Sequence, residues 1–201
     1  MRNPLSVFIC LLLFGVQLSA QKNQNDLIEQ LTKYRLILKL ENNQLTGEGS
    51  KFLLDEAKSS QFFLVGEDHG IAEMPIFVGA LFREINGFGF QTLATETGPL
   101  TANYLEEMAS QPQAQKVFAD FNAQYPFGLP FYSWKEEAQM AESIVKASHN
   151  KNQKLWGLDQ EFIASSAFHF KRLFGLASTK EAKSAANEYY EKTGGEFAQG
   201  L

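Results

Sequence analysis

Acidic side chains and a histidine stand directly after three short apolar runs of the sequence. The first run is followed by Glu67, Asp68 and His69, the second by Glu96, and the third by Asp159 and Glu161. A histidine held between carboxylates is suited to act as a general base, because the nearby negative charge favours its protonated form and a hydrogen bond fixes its tautomer. The pattern predicts a cleft in which His69 activates water, with Glu67 and Glu96 as its carboxylate partners.

Two other interpretations of these residues remain open. Acidic residues near helix N-termini also serve as simple caps, and this alternative applies most directly to Asp159. Imidazole and carboxylates together suit zinc, manganese or iron, but the spacing of His69 and the acidic residues is not a recognised ligand signature. We therefore predict no cofactor, with a metal ion as the alternative.

The sequence lacks the signatures of a cysteine or serine nucleophile. Its one cysteine, Cys10, lies in the N-terminal apolar run. A serine esterase would carry its nucleophile on a strand-to-helix elbow such as G-x-S-x-G, and that motif is missing from the sequence. Both observations favour direct attack by activated water.

Predicted strands and helices alternate along the chain, which is typical of an α/β fold. Apolar runs predict strands at residues 62–65, 90–94 and 154–158, the first of them buried on both faces. Apolar residues at three- and four-residue spacings predict helices at 25–40, 48–59, 73–85, 101–110, 113–121, 133–148, 162–175 and 178–192. This order predicts a mostly parallel sheet flanked by helices. Functional side chains gather beyond the carboxyl ends of such strands, so His69 and the acidic residues are expected to share one cleft.

An aromatic segment precedes the predicted helix 133–148. Residues 122–131 contain Pro126, Gly128 and Pro130 among aromatic residues, which predicts an ordered loop. Together with Trp134, this loop either walls a pocket for an apolar group or packs against the core. Trp134 is accordingly a candidate supporting residue of the site, as are Asp68 and Asp159.

Composition and charge limit the partners of the chain. Of its 201 residues, 44% are hydrophobic and 20% are charged, which is the balance of a globular domain. The 18 Lys and Arg against 23 Asp and Glu give a net charge of −5, and no long basic run occurs, so a nucleic-acid partner is not expected. We predict a small-molecule substrate, and the sequence does not indicate an oligomeric state.

The N-terminus has the pattern of a signal peptide. Arg2 is followed by an apolar run over residues 5–16 and by Ala20 before a polar segment. This run is shorter than the roughly 20 residues that span a bilayer as a helix. We expect cleavage after residue 20, export to the periplasm or the exterior, and no membrane attachment afterwards, with an uncleaved anchor as the alternative. Residues 21–201 are then expected to form a single domain.

Several of these residues belong to motifs that resemble one known family. In sequence order, the matching segments of this chain are Phe-Leu-Val-Gly-Glu-Asp-His-Gly at 63–70, Glu73, Arg83-Glu84, Gly89-Phe90, Glu96, Trp134, His149-Asn150 and Gly157-Leu158-Asp159. Together they resemble the erythromycin-esterase-like proteins over about residues 60–165. The resemblance implies a hydrolase that opens a macrolactone or related ester with water, through a histidine base and carboxylates, without a serine nucleophile or an obligatory metal.

The resemblance also implies a role for each matching residue. Glu67 and His69 match the first motif of the family, and His69 is then the base. Glu96 matches the acid after the second strand, and Asp159 matches a supporting acid.

The chain departs from this family in two ways. Only Asp68 separates Glu67 from His69, a spacing more similar to the related ChaN-like haem-binding proteins, and that resemblance makes Tyr125, Tyr132 or His69 the axial ligand of a haem. Family members are also longer and contribute a further histidine from their second half. The chain therefore resembles only the N-terminal portion of such a protein, with a sheet incomplete at the C-terminus, and a truncated inactive fragment is a third interpretation.

Overall fold

The structure, a computed structural model, describes residues 26–199 of the chain, and the predicted signal peptide at 1–20 lies outside them. Helices dominate the described chain, and none of them has both the length and the apolar composition of a bilayer-spanning segment. In chain order the elements are α1 (26–33), β1 (Lys39–Glu41), β2 (Gln44–Thr46), α2 (Glu48–Ser59), α3 (Glu73–Ile85), a 3₁₀ helix (Asn86–Phe88), β3 (Leu93–Thr95), α4 (Pro99–Ala109), α5 (Ala114–Gln124), α6 (Lys135–Ala147), β4 (Leu155–Gly157), a second 3₁₀ helix (Ile163–Ser165), α7 (Ser166–Leu176) and α8 (Lys180–Gln199).

The described strands form two small sheets. β3 and β4 pair in parallel, with Thr95 opposite Gly157. β1 and β2 form an antiparallel hairpin, and its turn residues Asn42 and Asn43 have positive φ angles of 52° and 63°, as a two-residue type I′ turn requires. The fold is therefore a helix-rich mixture of α and β structure with one parallel strand pair. A mostly parallel sheet is not shown within residues 26–199.

The prediction of a buried strand at residues 62–65 was wrong. This segment is not assigned to a strand, and the side chains of Phe62 and Leu64 are 76% and 92% exposed. Phe63 alone packs inward, edge-on against Phe90 at 6.5 Å between ring centroids. An apolar run is buried on both faces only when strands and helices cover it, and in the described chain β3 pairs with β4 alone.

The main hydrophobic core lies between the helices and β4. α3 packs against α6, and α4 packs against both α6 and β4. The buried residues of α6 recur every three or four positions, so they form one apolar stripe that faces its neighbours. The bulkiest fully buried side chains of this core are Tyr132, Phe118, Leu105, Leu129, Ile144 and Leu155. Their packing fixes β4 relative to α4 and α6, and the loop after β4 therefore starts from a fixed point.

The backbones after β3 and β4 run in close contact. The N–H of Asp159 donates to the carbonyl oxygen of Thr97 at 3.0 Å, which continues the pairing beyond the strands. Gly157 lies so close to Gly98 that a Cβ atom at position 157 would collide with the carbonyl group of Gly98. Gly98 in turn lies against the carboxyl group of Glu161. Glycine at both positions thus permits the close approach of the two segments that carry the acidic residues.

Candidate active site

Glu67, His69 and Glu96 meet close to the carboxyl end of β3. Glu96 directly follows β3, and Glu67 and His69 lie in the connection between α2 and α3. Nδ1 of His69 lies 3.2 Å from Oε1 of Glu67, and its Nε2 lies 3.3 Å from Oε2 of Glu96. Gly70, with a φ of 81°, turns the chain directly after His69 in the left-handed conformation that favours glycine. The structure thus brings together the three residues that were predicted as catalytic.

An aromatic side chain supports the imidazole from one face. The ring of Phe131 stacks on that of His69, with 3.9 Å between centroids and an interplanar angle of 8°. Phe162 meets Phe131 edge-on at 5.6 Å. The sequence pattern indicated the aromatic loop but did not single out Phe131. The loop's Pro and Gly content was the signal that it is ordered, and a stacking partner cannot be identified from that signal alone.

The site is open to solvent. The side chains of His69, Glu67 and Glu96 are 41%, 42% and 53% exposed, respectively. Solvent therefore screens the attraction between the imidazole and the carboxylates. Because those contacts are weakened by screening, the stack on Phe131 contributes to holding the ring in place.

The predicted supporting residues lie outside this cluster. Asp68 is exposed, and Trp134 is half exposed at the start of α6. Oδ1 of Asp159 accepts the N–H of the next residue, Gln160, at 2.7 Å, which is a local turn contact. Asp159 therefore stabilises the turn after β4, and the 3₁₀ helix that follows takes no side-chain cap from it.

Glu161, two residues after Asp159, is the acid that links the ends of the two strands. It accepts hydrogen bonds from the N–H of Leu100 at 2.6 Å and from the hydroxyl of Thr101 at 2.6 Å, both in the first turn of α4. Its Oε2 also lies 2.9 Å from Nε2 of His169 on α7. The sequence analysis named Asp159 as the supporting acid, whereas Glu161 is the residue of this turn whose side chain joins other elements.

Burial and hydrogen bonding set the protonation states of Glu161 and His169. Burial opposes the charged form of Glu161, but hydrogen bonds from Thr101, Leu100 and His169 outweigh it and lower the pKa of this carboxyl. Burial lowers the pKa of His169, although Glu161 acts in the opposite direction. The imidazole is therefore neutral at pH 7, and its Nε2 carries the proton that it donates to Glu161.

Acidification is expected to destabilise the fold through His169. Its pKa is lower in the folded than in the unfolded chain, so below the ordinary value of 6.5 the unfolded chain binds more protons and stability falls as the pH falls through the folded pKa. Glu161 adds a loss at lower pH, because its pKa is also lowered by folding. We expect Tm to fall between pH 7 and about pH 5 in wild type and to fall less in His169→Gln.

The control for this prediction is His149→Gln. His149 is exposed and lies outside the network of Glu161 and His169, so its variant should keep the wild-type dependence of Tm on pH. Equal slopes for wild type and His169→Gln would contradict the prediction.

The donor atoms of Glu67, His69 and Glu96 all lie within 4.8 Å of one another, so these residues would hold a cation if one bound. Each ring nitrogen of His69, however, has a different carboxylate as its nearest charged neighbour, and we assign no metal site.

Of the predicted haem ligands, Tyr132 is buried and its hydroxyl donates to Oγ1 of Thr95 at 3.0 Å. Burial raises the pKa of Tyr132 to about 12, which disfavours the phenolate that would bind iron.

Comparisons with known proteins leave the chain without an assigned family. No protein-family model matches the sequence, and no curated protein or solved structure matches it either. Membership of the erythromycin-esterase-like family stays a prediction that rests on the motifs within residues 60–165. A function for this chain must therefore be argued from the geometry around His69.

Proposed function

We propose that this protein is an exported hydrolase of the erythromycin-esterase-like class, which cleaves an ester or lactone of a small molecule with water. The observation that carries the proposal is the position of His69 between two carboxylates, with Glu67 beside Nδ1 and Glu96 beside Nε2. A neutral imidazole whose Nδ1–H points to one carboxylate offers its Nε2 lone pair to a water molecule. Export and the larger, mostly parallel sheet are parts of the same proposal.

The reaction follows from these positions. Nε2 of His69 removes a proton from water while the oxygen of that water forms a bond to the carbonyl carbon of the ester. The tetrahedral intermediate then collapses, the bond to the leaving oxygen breaks, and that oxygen takes the proton back from His69. Glu67 stabilises the imidazolium that exists between the two steps, and Glu96 orients the water by accepting its second hydrogen. The products are a carboxylic acid and an alcohol, which remain one molecule when the substrate is a lactone.

The test is hydrolysis by the full chain of two probes, p-nitrophenyl acetate and a macrocyclic lactone. We expect at least one to be cleaved faster than in buffer, and the rate to be unchanged by phenylmethylsulfonyl fluoride, since no serine acts as nucleophile. The first probe is followed by absorbance and the second by mass spectrometry, in which opening adds one water. Failure to cleave either probe would contradict the proposal, and loss of activity with the inhibitor would exclude its mechanism.

A further inference from the structure

Two neighbouring aromatic residues, Phe131 and Tyr132, connect the candidate active site to the core of the protein. The ring of Tyr132 is buried in the hydrophobic core, whereas Phe131 is only partly buried and stacks on His69. The hydroxyl of Tyr132 donates to Oγ1 of Thr95 at 3.0 Å. Thr95 is the last residue of β3 and directly precedes Glu96. The two aromatic residues therefore contact both His69 and the strand that leads to Glu96.

These contacts form a closed circuit around the imidazole. Nε2 of His69 lies 3.3 Å from Oε2 of Glu96, and the imidazole lies 3.9 Å from the ring of Phe131 between centroids. A peptide bond joins Phe131 to Tyr132, whose hydroxyl bonds to Thr95, and the next peptide bond returns to Glu96. The carboxylate sets the distance of one ring nitrogen, and the nearly parallel phenyl ring sets the plane of the imidazole. Together they define the orientation of His69 relative to Glu96.

The backbone of Phe131 is held in an unfavourable conformation. Its φ of 61° lies in the left-handed region, which residues with large side chains rarely adopt. Such a conformation persists only where the surroundings impose it, and it is most frequent at functional sites. Here the N–H of Tyr132 donates to the carbonyl oxygen of Leu129 at 3.0 Å, and the carbonyl oxygen of Tyr132 accepts from Nδ2 of Asn122 at 3.4 Å. The contacts of Tyr132 thus impose the conformation in which Phe131 meets His69.

The segment that carries His69 does not fix the imidazole by itself. Residues 60–72, between α2 and α3, belong to neither a helix nor a strand. The contacts of His69 with Glu67 and Glu96 are partly exposed and screened by solvent. The orientation of His69 therefore depends on the stack with Phe131, and the stack depends on what anchors Phe131.

We propose that Tyr132 is a positioning residue of the candidate active site, whose hydroxyl, bonded to Thr95, holds Phe131 against His69 and so keeps Nε2 of the imidazole beside Glu96. This inference rests on the proposed hydrolase function. Because Tyr132 is buried, it does not meet the substrate and acts through Phe131.

Tyr132→Phe tests this role, because it keeps the buried ring and removes only the hydroxyl. We expect kcat to fall about tenfold with KM nearly unchanged, since a misplacement of about 1 Å costs about 10²-fold and a loosened imidazole is displaced by less. Phe131→Leu keeps the apolar bulk but loses the flat ring, so it should have the same effect. Phe131→Tyr keeps the ring and should retain most of kcat.

Ser148→Ala is the control for Tyr132→Phe. It also removes a buried hydroxyl, which donates to the carbonyl oxygen of Gln91 at 2.5 Å. Ser148 directly follows α6, at the end of that helix remote from the aromatic loop. Its loss should lower Tm to a similar extent and leave kcat at the wild-type value.

A double-mutant cycle tests whether the hydrogen bond itself carries the effect. Thr95→Val removes the acceptor and keeps the shape of the side chain, so it should lower kcat as Tyr132→Phe does. The double variant should be no slower than the slower single variant, because both changes break the same bond. Losses that multiply to about 100-fold in the double variant would show that the two hydroxyls act independently and would overturn the inference.

A relaxation measurement tests the positioning without catalysis. In the full chain with ¹³C-labelled histidine, relaxation of Cε1 of His69 measures how firmly the ring is fixed. Its order parameter should fall from about 0.85, typical of rigid groups, towards about 0.6 in Tyr132→Phe. Ser148→Ala should keep the wild-type order parameter.

The two kinds of measurement separate the failure of this inference from that of the proposed function. A wild-type kcat in Tyr132→Phe, or a wild-type order parameter of His69 in that variant, would overturn the inference. If wild type cleaves no ester, the proposed function fails, and the order parameter still decides whether Tyr132 holds His69 in place.

Discussion

His69→Ala should abolish ester hydrolysis, and Glu96→Gln should do the same, while Tm stays close to that of wild type. The first variant removes the proposed base and the second removes the charge proposed to orient the water, and loss of such a group typically costs about 10²- to 10⁴-fold in rate. Both side chains are about half exposed, and the ion pairs of this cluster join His69 to Glu96 and to Glu67. Removing either group is therefore expected to change the stability of the fold little. The measurements are kcat/KM on the cleaved probe and Tm by circular dichroism.

His149→Ala is the matched control for these variants, since it removes an exposed histidine that lies just after α6 and outside the cluster. It should keep wild-type activity. Wild-type rates in His69→Ala would exclude His69 as the base, and a large drop in its Tm would show that the side chain has a structural role instead.

Gly157→Ala should destabilise the fold strongly, although it adds only one methyl group. A Cβ atom at position 157 would collide with the carbonyl group of Gly98 and lie 2.5 Å from the carbonyl oxygen of Thr97. All of these atoms belong to the backbone, so no side chain can rotate away. We expect the free energy of unfolding to fall by about 3 kcal/mol or more, at the upper end of overpacking effects. Denaturant unfolding followed by circular dichroism measures it.

Gly175→Ala is the control for Gly157→Ala. Gly175 lies within α7, and an added Cβ there meets no atom within 4 Å. Alanine has the better helix propensity, so this variant should gain about 0.5 to 1 kcal/mol. If Gly157→Ala unfolded at the same denaturant concentration as wild type, the close contact between the two strand ends would not exist.

Most helices were predicted well because their signal is local, but the predicted helix 25–40 was wrong beyond residue 33, since the strand β1 occupies Lys39–Glu41. The predicted helix 73–85 coincides with α3, and the predicted helix 133–148 contains α6 at Lys135–Ala147. In both, apolar residues recur at the helical period, and that stripe is buried against a neighbour. Strands depend on partners elsewhere in the chain. The predicted strand 90–94 begins later, as β3 at Leu93–Thr95, where Leu155–Gly157 pairs with it.

The candidate site could be predicted only in part. Glu67, His69 and Glu96 come together as expected, and their catalytic role stays a prediction. The supporting role of Asp159 stays a prediction. The structure shows that Glu161 is the acid of this turn that reaches α4 and α7, because the turn after β4 decides which carboxylate points toward them. Phe131 was missed because its contact with His69 joins loops far apart in the sequence.

The stack of Phe131 on His69 has a spectroscopic consequence. With the rings nearly parallel and 3.9 Å apart, the circulating π electrons of the phenyl ring shield the carbon-bound protons of the imidazole. Those protons should resonate upfield of the corresponding protons of His149, which is exposed. His69 thus has an intrinsic ring-current label, and its proton resonances report directly on whether the candidate site is assembled.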